Sequence, residues 1–169
     1  VTDDRKAGLT IYGQNRMRDA YDHDGDGFVE IPVIKSQTIG TQAYIKTSAY
    51  SKLTLDYHAT NEYRRGGDKL DLPPHKAMIA ETTDHLINSG GLSFDGTSKN
   101  TRHRYSIFAS AQSTKRDSYY GAEMNEKAYG KTDGVTAVAG GQYLYRLNIF
   151  ELTAGVEYSY DYLFDNPIG

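Results

Sequence analysis

Cysteine is absent from the 169 residues, which removes both a disulfide framework and a thiol nucleophile. No apolar run approaches the roughly 18 residues of a helical membrane span, so that architecture is excluded. Neither sign of charge dominates, with 19 Lys and Arg against 22 Asp and Glu. A formal net charge of -3 gives no basic surface of the kind that nucleic acid requires, and no nucleic-acid partner is expected. Asp, Glu, His and Ser are scattered along the chain without a tight nucleophile, base and orienting group, so the sequence points away from an enzyme.

What the chain has in quantity is tyrosine and glycine, 15 and 17 residues, set in stretches of period-two alternation. In KLTLDYHATNEY, Leu53, Leu55, Tyr57, Ala59 and Asn61 fall on one side, and Thr54, Asp56, His58, Thr60 and Glu62 on the other. RYSIFASAQS and ELTAGVEYSYDYL repeat the pattern, with Phe108 the main exception on the polar side. Shorter copies lie at 8–17, 41–48 and 136–147, and a weaker one at 88–96, where the glycines also suit a bend or bulge. Together they give about seven strands, most near the 9–11 residues of a tilted membrane-crossing strand.

Connections alternate in length. Residues 18–38, 64–88 and 114–134 read as long loops, and 48–51, 97–101 and 148–151 as turns. That asymmetry predicts an all-β fold, an antiparallel transmembrane β-barrel segment with long extracellular loops. The competing readings are a soluble all-β binding module and a general porin. Seven strands break the even count of a bacterial single-chain barrel. Val1 starts without Met or a signal peptide, so the chain reads as a fragment.

The most explicit chemistry lies in YDHDGDGFVEIP. Asp22, Asp24 and Asp26 are spaced by two, with Gly27 and Glu30 following, so their oxygens could converge on one calcium together with the Phe28 carbonyl. The frame is not an EF-hand, because Val33 holds the twelfth position. The same residues equally suit turn chemistry, with Asp and Gly shaping a solvated tip. Arg64 and Arg65 before Gly66 and Gly67 are read as anchors of a loop base or as contacts to an anionic ligand. Tyr119 and Tyr120 are read as loop packing or ligand contacts. Pro73 and Pro74 open a stretch whose Met78, Ile79, Thr82 and Leu86 could share a helical stripe. His75 and His85 are too isolated for zinc, and Asp56, His58 and Glu62 read as a hydrated face.

YDHDGDGFVEIP, EYRRGGDKLDLPPH, RDSYYG and AYGKT, with the strand order, resemble a section of the TonB-dependent outer-membrane receptors of the Bacteroidetes, in the branch of cobalamin and ferric-siderophore transporters. The resemblance spans nearly the whole chain. It implies that residues 1–169 are part of a barrel of about 22 strands, with the plug domain absent. It further implies a bacterial outer-membrane location and energy-coupled uptake of cobalamin or a related corrinoid, with ferric siderophore or haem as alternatives. The implied partners are the remaining barrel and plug, the TonB complex, the lipid bilayer and a surface lipoprotein. Calcium in outer loops of the family adds interest to the acidic segment.

Overall fold

The computed structural model describes residues 1–167. Seven strands form a single antiparallel sheet in sequence order: β1 (Ala7–Arg18), β2 (Phe28–Ser48), β3 (Ser51–Asp68), β4 (Ile79–Thr97), β5 (His103–Ala122), β6 (Tyr129–Leu147) and β7 (Phe150–Pro167). Strand number and the meander agree with the alternation, and the short turns fall at 49–50, 98–102 and 148–149. At the last of these, Asn148 takes a left-handed φ of 49°, a conformation Asn tolerates through local hydrogen bonding.

β1 pairs only with β2, and β7 only with β6. A barrel requires its last strand to bond to its first, with matched tilt and stagger. That pairing does not occur among the described residues, and the sheet is open, with two free edges. The transmembrane-barrel expectation is therefore corrected. With it go the expectations resting on closure: the outer-membrane location, the receptor and uptake function with its corrinoid, siderophore or haem ligand, and the bilayer, TonB, plug and surface-lipoprotein partners. No helix among the described residues is long and apolar enough to cross a membrane, which bears on helical spans only.

The strands are also longer than expected. β2 to β7 run 18 to 21 residues, so the loops shrink to 19–27, 69–78 and 123–128. The polar segments read as loops continue the ladder, because backbone pairing needs no apolar side chain. The helix expected after Pro74 reduces to a 3-10 turn at Pro74–Lys76. From Ile79 the chain is strand, in keeping with the β-branched Ile79, Thr82 and Thr83. Gly90 and Gly91 make no bulge and pair in register with Tyr57 and Asp56. The irregularities lie instead in β2, between Val29 and Val33 and between Lys46 and Ser48.

Register assigns the two faces. Arg16, Ser36, Glu62, His85, Arg116, Thr132 and Asp165 form one continuous cross-strand row. Residues two apart along each strand share that polar face. Phe108, the exception in the pattern, lies on it against Gly140, where a Cβ would come within 2.7 Å of the ring. The opposite face carries Leu9, Ile11, Ile39, Leu55, Ile107, Val156 and Tyr158, all exposed. Among the described residues, a buried cluster forms only where the 69–78 loop folds onto this second face. Ala77 and Ala80 cover Tyr119, with Ala128 and Tyr129 packed beside them. This end of the sheet is the one that positions side chains firmly.

Candidate functional site: a polar basin beside an acidic loop

Arg65 is 3% exposed, and its guanidinium donates to the carbonyls of Gly66 at 2.7 Å and Asp68 at 3.2 Å. It closes the base of the 69–78 loop. Asp68 completes the closure by accepting from Ile79 N–H at 3.0 Å and Met78 N–H at 3.3 Å. Burial pushes the Asp68 carboxyl up, but those two donors together with the Lys69 charge outweigh it and leave it below the usual carboxylate value. Tyr119 is 1% exposed and donates to the Asn125 carbonyl at 3.0 Å. Its ring meets Tyr129 edge-on with centroids 4.8 Å apart, and the Tyr129 hydroxyl lies 2.7 Å from His75 Nδ1. Burial raises the Tyr119 phenol above its ordinary value, with Tyr129 adding to the effect.

Arg64 and Tyr120, the immediate neighbours of these anchors, point to the other face by the strand period. There they line a basin of about 470 Å³ with Glu62, Glu81, Thr83, His85 and Arg116. Three successive rows build it: Glu62, His85 and Arg116; then Arg64, Thr83 and Ser118; then Gly66, Glu81 and Tyr120. The middle row is mostly small, which leaves room between the charged rows. A second hollow of about 500 Å³ shares Pro32, Gly66, Glu81 and Tyr120 with the first and extends to Phe28 and Glu30.

The charges in the basin are unequally committed. Arg64 Nε donates to Glu62 Oε1 at 2.7 Å, so that pair is internally neutral. Arg116 donates through Nη2 to the Thr132 hydroxyl at 2.7 Å and lies 3.8 Å from Asp165, while its Nε is buried without a hydrogen-bond partner. Glu81 makes no ion pair among the described residues. Burial depresses the His85 pKa below its ordinary 6.5, and the adjacent Arg116 guanidinium depresses it further, so the ring stays neutral at neutral pH.

The acidic loop adjoins the hollow through Glu30. Asp22, Asp24 and Glu30 each bring an oxygen within 4.8 Å of the others. Two oxygens on one calcium are separated by at most about 5 Å, so this small cluster could chelate a divalent cation. Asp26 lies outside it, and its carboxylate accepts the Phe28 N–H at 2.8 Å. The loop is also held by turn chemistry. Asp22 accepts from Gly25 at 2.7 Å and Gly27 at 2.9 Å, and Glu30 accepts from His23 N–H at 2.8 Å. The Gly27 and Gly25 donors, in that order, hold the Asp22 carboxyl below its usual range.

Of the residues singled out from sequence, the fold brings Arg64 and Tyr120 into one basin and places Arg65 and Tyr119 in the packed base behind it. Arg116, His85 and Glu81 were not assigned to a ligand site from sequence. Arg116 and Glu81 lay in segments read as loops, where no face could be given to a side chain. Carrying the alternation through RDSYYG would have put Arg116, Ser118 and Tyr120 on one side. No family model matches the chain, and no similar curated protein or solved structure was found. The loop motifs are thus left without a matching family or a closed barrel, and the TonB-dependent receptor resemblance is corrected on both grounds.

Proposed function

We propose that the chain is a non-catalytic binding module whose polar basin takes a small polar molecule bearing an anionic group, beside a β1–β2 loop ordered by calcium. The observation that carries the reading is the Arg116 guanidinium, which lines the basin 35% exposed, with no carboxylate among the described residues closer than Asp165 at 3.8 Å. An accessible guanidinium without a close carboxylate offers planar, charge-assisted donors that an incoming carboxylate or phosphate oxygen would accept. Arg64 and the neutral His85 ring supply further polar contacts, and Tyr120 a broad wall with a phenolic group. Small middle-row residues leave the volume that such a ligand needs. The absence of a nucleophile paired with a base among these residues supports binding without turnover.

Calcium is favoured over magnesium at the acidic loop because an irregular set of carboxylates and loop carbonyls suits its flexible coordination, whereas magnesium demands near-octahedral geometry. Asp22, Asp24 and Glu30 would hold the ion, with Asp26 shaping the loop and the Phe28 carbonyl a further oxygen donor. Calorimetric titrations with inorganic phosphate, malonate and glucose test the basin. Saturable binding of an anion that is lost in Arg116→Met and absent for glucose is expected. Equal binding by the variant, or no binding of either anion, would remove the reading.

A further inference from the structure

The two free edges of the sheet carry opposite charge on the same face. On the β1 edge the polar-face row runs Tyr12, Gln14, Arg16 and Arg18. On the β7 edge it runs Glu157, Ser159, Asp161, Leu163 and Asp165. β7 presents 18 residues of unpaired backbone on its outer side and β1 presents 12. Charged side chains on an edge discourage pairing with a like edge. Here they permit pairing with the unlike one.

We propose that the β1 edge of one copy of this chain pairs with the β7 edge of a second copy, extending the sheet side by side. Because seven antiparallel strands separate the edges in an odd meander, β1 and β7 run in the same direction. A neighbouring copy in the same orientation therefore offers a parallel pairing that keeps both faces continuous.

One register satisfies both faces at once. Placing Arg16 beside Asp161 brings Tyr12 beside Glu157 on the polar face. On the apolar face the same register sets Leu9 beside Ala154, Ile11 beside Val156, Gly13 beside Tyr158 and Met17 beside Tyr162. A glycine thus lies next to a large ring, and the exposed aliphatic residues meet one another. Arg16 and Asp161 make no hydrogen bond or ion pair among the described residues, whereas Arg18 is held by the Pro32 carbonyl at 3.1 Å and Asp165 by Thr132 at 2.7 Å. Pairing two β7 edges about a two-fold axis would instead gather Glu157, Asp161 and Asp165 against themselves. The contact is heterologous, so it repeats into a chain or ring rather than stopping at two copies.

Sedimentation velocity over a concentration series, using the full 169-residue chain, tests this directly. The wild type should associate beyond a dimer, and Arg16→Asp and Asp161→Arg should each weaken association roughly tenfold or more through like-charge contact. Mixing the two variants should restore it, because each then meets its opposite; that restoration also shows that both are folded. A chain without cysteine allows a second check, in which Ile11→Cys with Val156→Cys on one copy should form intermolecular disulfides between unlike positions. A wild type that stays monomeric, variants that associate unchanged, a mixture that fails to recover, or disulfides joining only like positions would each overturn the proposal.

Discussion

Tyr119 and Arg65 show how one residue step separates support from recognition. Each sits beside a basin residue, Tyr120 and Arg64, and the strand period sends the neighbours to opposite faces. Tyr119 is the largest fully buried side chain among the described residues, so Tyr119→Ala should cost about 3 kcal/mol, read as a lower midpoint in urea unfolding. Tyr120→Ala, on an exposed wall, should leave that midpoint nearly unchanged. A similar split is expected in the acidic loop. Asp22→Ala and Glu30→Ala should abolish calcium binding in a titration, whereas Asp26→Ala should retain it, because the Asp26 carboxylate lies outside the group of converging oxygens. That Asp22 and Asp24 belong together was legible in their spacing. That Glu30 rather than Asp26 joins them was not, since it depends on how the loop folds the β2 end back over Asp22 and Asp24.

His85 adds a pH dependence at the same scale. Its folded pKa is depressed, so the unfolded chain takes up the proton first as pH falls, and stability drops as pH passes below the ordinary value of 6.5. Asp22 and Asp68 act lower, because their depressed carboxyls favour the folded state until pH falls through and below the usual carboxylate value of 3.8. An anion bound beside His85 should raise its pKa back toward the ordinary value, by favouring the imidazolium. The ring proton shifts, followed by NMR with and without phosphate, measure this.

At the scale of elements, the strands were readable where apolar and polar residues alternate and unreadable where both faces are polar. Segments 64–68 and 114–122 extend β3 and β5, yet Arg64, Arg65, Lys115 and Arg116 offer no hydrophobic period to betray a strand. The same blindness hid the basin, which is built from those extensions. The closing of the 69–78 loop turns on Gly67, whose φ of 100° and close approach to the Ile79 carbonyl leave no place for a Cβ. Gly67→Ala should cost about 1–3 kcal/mol and loosen the loop, seen as faster amide exchange at Met78 and Ile79. The expected helix failed for a related reason, since Met78, Thr82 and Leu86, spaced by four, fit either period; in the strand Ile79 turns to the other face, and the partner strands decide it.

At the scale of the whole molecule, alternation and turn spacing specify a meander but carry no information on closure, because an open sheet and a closed one share the same period. Only the pairing of first and last strands distinguishes them, and here both remain edges. The proposed basin for a small anion lies at the loop end of the polar face. An amide NMR titration of the isotopically labelled chain with inorganic phosphate tests it most directly. Saturating shifts confined to Arg64, Thr83, His85, Arg116, Ser118 and Tyr120, and abolished in Arg116→Met, are expected. Shifts that are absent, that fall elsewhere on the sheet, or that persist unchanged in the variant would contradict it.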